Sequence, residues 1–227
     1  MIKELMAEME RQRNPAKAAV LSRFFRCGKG QYGEGDVFLG ITVPAQRQLA
    51  KKHQKIPLPE LSKLLHSKVH EHRLTALLIL TIKYPKNRES VKKFYCSNLK
   101  CVNNWDLVDL TAPAIIGDYL AEKEKSLLKR LASSSSIWER RIAIVSTLAF
   151  VRKGNYKPTL DLCCGLMNDK NDLIHKASGW MLREVGKRSE KTLREFLDEH
   201  SRQMPRTMLR YSIERLDPAS KKKYMSR

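Results

Sequence analysis

Apolar residues recur at three- and four-residue spacing along nearly the whole chain, and this helical period restricts the fold more than any other feature. Leu74, Leu77 and Leu78 are one example. Alternating strand patterns are scarce. The helical period is interrupted at short breaks, which lie at Pro57-x-Pro59, Tyr84-Pro85, Gly154 before Pro158, Asn168-Asp169, Pro205 and Asp217-Pro218. The sequence therefore predicts an all-α chain with helices of about 10 to 17 residues joined by short loops.

A longer period runs through the helical pattern. Arg73, Leu107, Arg141 and Lys176 lie 34, 34 and 35 residues apart, and each is near the start of an apolar helical run. Shorter helices are predicted before three of these runs, over residues 61–66, 127–132 and 160–167. A helix pair that repeats in the mid-thirties is typical of an α-solenoid, although chance periodicity in a helical bundle would give the same spacing.

The chain carries a large positive charge, because 44 Lys and Arg residues stand against 24 Asp and Glu residues, for a formal net charge of +20. This charge favours a polyanionic partner, with nucleic acid ahead of an acidic membrane surface, over a basic protein with neither partner. In a solenoid, Arg73, Arg141 and Lys176 would point in register into a basic concave groove that suits a nucleic-acid backbone. Each of them taken singly is more simply a helix-start cation on a solvated surface.

Several features that the sequence lacks narrow the class of protein. The apolar runs are far shorter than the roughly 20 residues of a membrane span, and the first residues lack the apolar core of a signal peptide. The five cysteines are scattered without a Cys-x-x-Cys pair, which argues against a disulfide framework and a zinc site. His66, His70 and His72 have no acid-bearing zinc motif around them and are interpreted as a solvated helix end. We expect a reducing compartment, cytoplasm or nucleoid, and no metal or organic cofactor.

The stretch that begins at Trp105 holds the strongest candidates for chemistry. Trp105 and Asp109 are four residues apart and share one helical face. Leu110 and Ala114 are predicted to face the core, so Asp109 is expected to open toward the groove. Asp106 is the nearest competitor, but it lies about 100° around the helix from Trp105 and could equally be a first-turn acid favoured by the helix dipole. For an average tryptophan, core packing is the favoured interpretation.

Two further segments are predicted to lie on the surface. Gly28–Gly35 is rich in glycine but lacks the Gly-Lys-Ser/Thr ending of a phosphate-binding loop, and no strand clearly precedes it. A flexible loop is favoured, in which Lys29 and Tyr32 could touch a nucleic acid. Residues 220–227 are predicted to be a loose basic tail.

Four stretches, taken together, carry a resemblance to a known family. They are Phe38-Leu39-Gly40-Ile41-Thr42-Val43-Pro44-x-x-Arg47, Trp105-Asp106-x-Val108-Asp109-x-x-x-Pro113, Ile137-Trp138-x-x-Arg141-x-Ala143-Ile144 and Lys176-Ala177-x-Gly179-Trp180-x-Leu182-Arg183-Glu184. With their order and separation, they resemble the AlkD-like DNA glycosylases, HEAT-like-repeat proteins that excise alkylated purines. The resemblance implies an α-solenoid of HEAT-like helix pairs with a basic concave groove, in a single domain over residues 1–227 with an insertion at 28–35.

The resemblance also implies roles for individual residues. Asp109 would be the catalytic acid, and Trp105 and Trp180 would contact the damaged nucleotide. Arg141 matches the groove arginine of the family and is expected at the lesion. The cations expected near the DNA backbone are Arg183, Lys176, Arg47 and Arg140.

These residue types suit hydrolysis of the N-glycosidic bond of a cationic purine, such as 3-methyladenine or 7-methylguanine, in duplex DNA. The charged base leaves readily, a carboxylate stabilises the positive sugar, and aromatic rings attract the cation. No lysine stands out as a Schiff-base nucleophile, so we expect a monofunctional enzyme that acts as a monomer. The alternatives are a non-catalytic helical-repeat protein that binds damaged or branched DNA, and a helical scaffold for an acidic protein.

Overall fold

In the computed structural model, which describes residues 1–121, 123 and 125–226, the regular structure is helical. The helices are α1 (Ile2–Arg11), α2 (Pro15–Phe24), α3 (Val43–Lys52), α4 (Leu58–Leu65), α5 (His70–Lys83), α6 (Arg88–Ser97), α7 (Trp105–Asp109), α8 (Asp118–Leu120), α9 (Ser126–Ala132), α10 (Ile137–Ser146), α11 (Leu148–Arg152), α12 (Lys157–Gly165), α13 (Asp172–Gly186), α14 (Glu190–His200), α15 (Arg206–Ser212) and α16 (Pro218–Met225). Short 3-10 turns lie at Tyr84–Lys86 and Leu99–Cys101, and a π-helical turn lies at Pro113–Gly117.

The predicted all-α fold is confirmed. No strand forms among the described residues, where an isolated parallel β-bridge joins Val37 to Val69. Among the same residues, no helix combines the length and the apolar character that crossing a bilayer requires.

The chain divides into two compact units, Met1–Thr111 and Ala112–Arg227. In the first unit α5 is central: every residue from His70 to Leu80 is buried, and α3, α4, α6 and α7 contact it. A helix enclosed on all sides has apolar residues around most of its circumference, as α5 has. In the second unit α13 contacts α10, α12, α14 and α15. The single domain over residues 1–227 stays a prediction.

The helix pairs predicted from the long period form within each unit. The shorter helices predicted over 61–66, 127–132 and 160–167 are α4, α9 and α12. They pack against α5, α10 and α13 respectively, which are the helices that hold the periodic positions. Sequence spacing therefore located these pairs, with boundaries that differ by a few residues at the helix ends.

Two of the three cations at the positions of the long period are buried. Arg73 and Arg141 are only 4% and 6% exposed. Arg73 Nη2 donates to Asp36 Oδ2 at 2.7 Å, and Arg73 Nη1 donates to the Ser67 carbonyl at 2.8 Å. The prediction that Arg73 lines an open basic groove is wrong, because a carboxylate and the backbone of the turn before α5 enclose its guanidinium.

Gly179 lies where α13 packs against α15. A Cβ built on Gly179 would lie 2.5 Å from the carbonyl oxygen of Met208 and 2.6 Å from Cβ of Tyr211. A neighbouring helix therefore approaches the backbone of α13 closely at this glycine. We expect Gly179→Ala to lower the free energy of unfolding by about 1–3 kcal/mol because α15 must move away. A lower urea midpoint would report this loss.

Gly165→Ala is the matched control for that substitution. Gly165 is also helical, at the end of α12, and nothing lies within 4 Å of a Cβ built on it. Alanine there should be neutral or should raise the free energy of unfolding by up to about 1 kcal/mol, because glycine is the poorer helix former. Equal losses of stability in the two variants would contradict the packing role of Gly179.

The segment predicted to be a loose basic tail is helical as far as Met225. Asp217 caps α16, with Oδ1 accepting a hydrogen bond from the Ser220 backbone at 2.9 Å, and Pro218 begins the helix. Tyr224 is fully buried. The prediction of a loose tail is thus wrong for these residues, because a cap and one aromatic anchor order a strongly charged sequence. Residue 227 lies outside the described residues.

Gly28–Gly35 forms turns, and most of its residues are exposed. The turns are closed by internal hydrogen bonds: the Gly28 backbone donates to Gln31 Oε1 at 3.2 Å, and the Gly30 backbone donates to Glu34 Oε2 at 2.7 Å. The segment leads directly into Asp36, which is bound within the first unit. Its status as an insertion stays a prediction.

Candidate functional site

A cavity of about 500 Å³ lies in the first unit, and all of its lining residues fall between positions 17 and 110. Its aromatic walls come from three parts of the chain: the end of α2, the segment before α3, and α7. They are Phe24, Phe25, Phe38 and Trp105. Three acids also line the cavity, namely Glu71, Asp106 and Asp109. An apolar cavity with a few polar groups is the usual form of a small-molecule or nucleotide site.

The short helix α7 brings Trp105 and Asp109 into this cavity, as their spacing predicted. Asn104 caps α7 through a hydrogen bond from the Trp105 backbone to Asn104 Oδ1 at 2.8 Å. Leu110 lines the cavity as well, and Ala114 is exposed, so the prediction that these two residues face the core is wrong. Because α7 ends at Asp109, the 3.6-residue period cannot be extended beyond it.

The two acids of α7 have different surroundings. Asp106 is 6% exposed, and both of its oxygens are hydrogen-bonded. Its Oδ1 accepts from the Leu107 backbone at 2.8 Å, and its Oδ2 accepts from His70 Nε2 at 2.8 Å. Asp106 is therefore engaged in holding the start of α7. Asp109 is half-buried at the end of the helix and is the better candidate to act on a molecule in the cavity.

Behind Asp106 lies a buried group of ionic side chains, which we call the His70 cluster and which consists of Asp36, His70, Arg73 and Asp106. His70 Nδ1 lies 3.0 Å from Asp36 Oδ2, on the side opposite Asp106. Burial opposes a charged imidazole, but hydrogen bonds to Asp106 and Asp36 outweigh it and raise the pKa of His70 above its ordinary value. Burial likewise opposes the charged form of Asp36, but hydrogen bonds from His70 and Arg73 lower the pKa of that carboxyl.

Aromatic rings form a stacked series beside the His70 cluster. The ring of Phe25 stacks on Trp105, with centroids 5.0 Å apart and planes at 19°, and on Phe38, at 5.2 Å and 16°. Phe38 in turn stacks on the His70 imidazole at 4.6 Å. Phe24 meets the Trp105 ring edge-on at 5.7 Å. One face of Trp105 is thus covered by Phe25, and the rings hold Trp105 at a set angle in the cavity.

Glu71 fixes the segment that carries Phe38. Its buried carboxylate accepts three backbone hydrogen bonds, from Leu39 at 3.0 Å, Gly40 at 2.7 Å and Ile41 at 3.2 Å. Gly40 has φ +87°, and a Cβ built on it would lie 2.2 Å from the carbonyl oxygen of Asn14, so only glycine fits. These contacts account for Phe38-Leu39-Gly40-Ile41, one of the four stretches on which the family resemblance rests.

The other predicted lesion contacts, Trp180 and Arg141, belong to the second unit. Trp180 on α13 is half-buried, and its Nε1 donates to Glu184 Oε1 at 3.3 Å. Arg141 on α10 is buried, and its Nη1 donates to the Leu173 carbonyl at 2.6 Å. Both assignments to the lesion stay predictions.

The predicted DNA-backbone cations have varied surroundings. Arg47 is exposed on α3. Lys176 Nζ lies 2.8 Å from Asp172 Oδ2 along α13, and Arg183 on the same helix forms an ion pair with Glu214. These surface pairs hold the side chains weakly, so a phosphate could replace the carboxylate.

Arg140 is held more firmly than the other predicted backbone cations. Its Nε and Nη2 donate to the two oxygens of Asp169, at 2.6 and 3.2 Å. Its Nη1 donates to the carbonyls of Ser134 and Ser135, both at 2.9 Å. Four of the five guanidinium N–H groups are therefore engaged within the second unit, and its contact with DNA stays a prediction.

Sequence reasoning missed part of this site. His70 and His72 are buried, so the prediction of a solvated helix end is wrong for both and holds only for the exposed His66. The partners of His70 lie 34 and 36 residues away, and no local pattern reveals them. The Phe24-Phe25 doublet at the end of α2 was an available signal.

Comparisons with known proteins place the chain in a family. The family model described as DNA alkylation repair enzyme matches residues 5–216. A predicted DNA alkylation repair enzyme from Enterococcus faecalis is similar in structure, with a TM-score of 0.69 and 19% identity over 91% of this chain and 97% of that one. AlkD2 from Streptococcus mutans is also similar, with a TM-score of 0.58 and 15% identity over 88% and 97% of the two chains. No curated protein matches the chain. With the family model matching nearly its whole length, the chain belongs to the DNA alkylation repair enzyme family.

Proposed function

We propose that this protein is a DNA glycosylase that hydrolyses the N-glycosidic bond of cationic alkylated purines in duplex DNA. The observation that carries the proposal is the position of the second acid of α7. Asp109 lies at the end of that helix and lines an aromatic cavity together with Trp105. A carboxylate placed among rings suits a reaction in which positive charge develops on the substrate.

The chemistry follows from the charge of the substrate. A purine alkylated at N3 or N7 is cationic, so the C1′–N bond can break without a general acid to protonate the base. The bonding electrons leave with the base and neutralise it, while positive charge builds on the deoxyribose. The Asp109 carboxylate would stabilise that charge and accept a proton from the water that attacks C1′. The products are a neutral free base and an abasic site.

The rings of the cavity would favour the cationic nucleotide over an ordinary one. A cation over an aromatic face gains about 0.5–2 kcal/mol, depending on how far it is desolvated. Phe25 already covers one face of Trp105, so a nucleotide would meet its other face or its edge. The same preference disfavours neutral, undamaged bases.

α2 offers a surface for DNA beside the cavity. It contributes no buried side chain, and Val20 and Phe24 are 62% and 61% exposed. No acid occurs between Glu10 and Glu34. The cations in that interval are Arg11, Arg13, Lys17, Arg23, Arg26 and Lys29. In the second unit we propose that Trp180 and Arg141 contact the lesion, and that Arg183, Lys176 and Arg140 join Arg47 of the first unit in binding the backbone.

We further propose that the enzyme is monofunctional, acts as a monomer and uses no metal or organic cofactor. Lys17 is the lysine that lines the cavity, and it is exposed on α2. A lysine that forms a Schiff base is normally desolvated, so that its amine is neutral. The expected product is therefore an abasic site in an unbroken strand, which denaturing electrophoresis before and after alkali treatment would identify.

Binding to two abasic-site mimics tests the proposal. One duplex carries a pyrrolidine ring, which is cationic like the reacting sugar, and the other carries a neutral tetrahydrofuran. We expect the cationic mimic to bind at least about tenfold more tightly, because it resembles the transition state. A passive DNA-binding protein of net charge +20 would show no such preference.

Salt dependence supplies the second measurement on these duplexes. If four to six phosphates are contacted, the logarithm of the binding constant should fall against the logarithm of salt concentration with a slope of about −4 to −5. The preference for the cationic mimic should persist at each salt concentration. Salt-dependent binding with equal affinity for the two mimics would favour the non-catalytic alternative.

A further inference from the structure

The buried His70 has no part in the proposed chemistry, but it contacts α7, the helix that carries Trp105 and Asp109. We propose that His70, in its doubly protonated form, is a positioning residue that ties α7, and with it Trp105 and Asp109, to the core of the first unit. The effect on catalysis rests on the proposed function. The protonation state of His70 and its effect on α7 can be measured without an assay of base release.

The geometry of the imidazole favours donation from both nitrogens. Nδ1 faces the Asp36 carboxylate at 3.0 Å, and Nε2 faces the Asp106 carboxylate at 2.8 Å. A neutral imidazole carries only one N–H, so one buried carboxylate would then face a lone pair at hydrogen-bonding distance. Such an unsatisfied buried contact is strongly unfavourable. The imidazolium satisfies both carboxylates at once.

The groups around His70 balance its charge. Those that face it are Asp36 from the segment before α3, Asp106 from α7, Arg73 from the next turn of α5, and the rings of Phe25 and Phe38. The nearby ionisable groups are Glu71, bound to backbone N–H groups, Cys27 near Asp36 and Cys101 near Arg73. With His70 charged, two carboxylates face two cations. Loss of its proton would leave a buried net charge of about −1.

Asp106 links the protonation state of His70 to the position of α7. Its second oxygen accepts the Leu107 backbone N–H, so one carboxylate joins the imidazole to the first turn of the helix. α7 has only five residues, too few for its own hydrogen bonds to hold it in place. A displaced Asp106 would therefore move Trp105 and Asp109 with it. A displacement of about 1 Å in a catalytic group can cost up to about 100-fold in rate.

The direction of the pH dependence follows from the raised pKa of His70. Stability from the charged imidazole is fully present below the ordinary histidine pKa, about 6.5, and is lost as pH rises through the raised value in the folded protein. Asp36 has a lowered pKa, so its contribution is present above its ordinary value and is lost on acidification. We expect α7 to be held less firmly against the core of the first unit as pH rises through the titration of His70.

Two-dimensional ¹⁵N NMR of the histidine side chains in the wild-type protein tests the first step. His70 should show both ring nitrogens protonated at pH 7. A singly protonated His70 at pH 7 would overturn the proposal. Because this measurement needs no variant and no substrate, it stands whether or not the protein releases a base.

¹⁹F NMR of protein labelled with 5-fluorotryptophan tests the second step. Trp105→Phe assigns the Trp105 signal. In His70→Gln, which can donate to only one carboxylate, the Trp105 signal should shift and broaden while the signals of Trp138 and Trp180 stay in place. His66→Gln is the matched control and should leave all three unchanged. A folded His70→Gln with an unshifted Trp105 signal would overturn the proposal.

The pH profile of base release tests the third step. The wild-type kcat should fall as pH rises through the titration of His70, with little change in KM. His70→Gln should have kcat about 10- to 100-fold lower and lack that fall, while His66→Gln keeps the wild-type profile. The same alkaline fall in His70→Gln would overturn the catalytic role of His70. If the wild type released no base, the proposed function would fail, and the two NMR results would still decide whether His70 positions α7.

Discussion

Asp109→Asn is expected to reduce the rate of 7-methylguanine release from duplex DNA by about 10²- to 10³-fold at saturating protein. Asparagine keeps the size of the side chain but removes the charge that would stabilise the positive sugar. Affinity for DNA should change little, because the cations that we propose bind the phosphates lie elsewhere on the protein. Single-turnover release measures the rate, and fluorescence anisotropy with the same duplex measures the affinity.

Asp161→Asn is the matched control for that experiment. Asp161 lies on α12 in the second unit, is 60% exposed and forms a surface ion pair with Lys157 at 3.1 Å. The same chemical change at that position should leave both rate and affinity near wild-type values. If Asp109→Asn released the base at the wild-type rate, Asp109 would not be the catalytic carboxylate.

Glu71→Gln is expected to produce the largest loss of stability, about 3 kcal/mol. The Glu71 carboxylate is 1% exposed and accepts the backbone N–H groups of Leu39, Gly40 and Ile41. A glutamine has one acceptor oxygen, and its NH₂ group would face a backbone donor. The loss should appear as a lower urea midpoint in the transition of the first unit, followed by circular dichroism and Trp105 fluorescence.

Glu4→Gln provides the comparison for Glu71. Glu4 is an exposed first-turn acid of α1 in the same unit, so its replacement should cost under about 1 kcal/mol. An equal effect of the two substitutions would mean that the three backbone hydrogen bonds to Glu71 contribute little to the fold. A loss of stability confined to Glu71→Gln would show that these hydrogen bonds hold the segment around Gly40 in place.

The parts of the fold that follow from local periodicity could be predicted from the sequence. The pairs α4–α5, α9–α10 and α12–α13 were located because their apolar residues recur over two or more turns. The shared face of Trp105 and Asp109 was predicted for the same reason. Short elements cannot be predicted from periodicity in this way. α7 is only five residues long, and the prediction that Leu110 and Ala114 face the core was wrong because the helix ends before them.

The polar interior of the first unit could not be predicted, because its contacts join distant parts of the chain. Arg73 was interpreted as a surface cation because its partner Asp36 lies 37 residues away, beyond a glycine-rich turn. His70 was interpreted as solvated for the same reason, since both of its carboxylates come from other segments. Charge and periodicity describe one residue and its neighbours, whereas burial of an ion depends on partners that only the folded chain supplies.

Identification of the product formed from 7-methylguanine DNA by excess wild-type protein tests the central claim most directly. The account predicts free 7-methylguanine, identified by mass, and an abasic site in an intact strand, formed much faster than in DNA alone. Saturated binding with release no faster than in DNA without protein would contradict the account. The protein would then be a DNA-binding member of its family whose cavity serves recognition without hydrolysis.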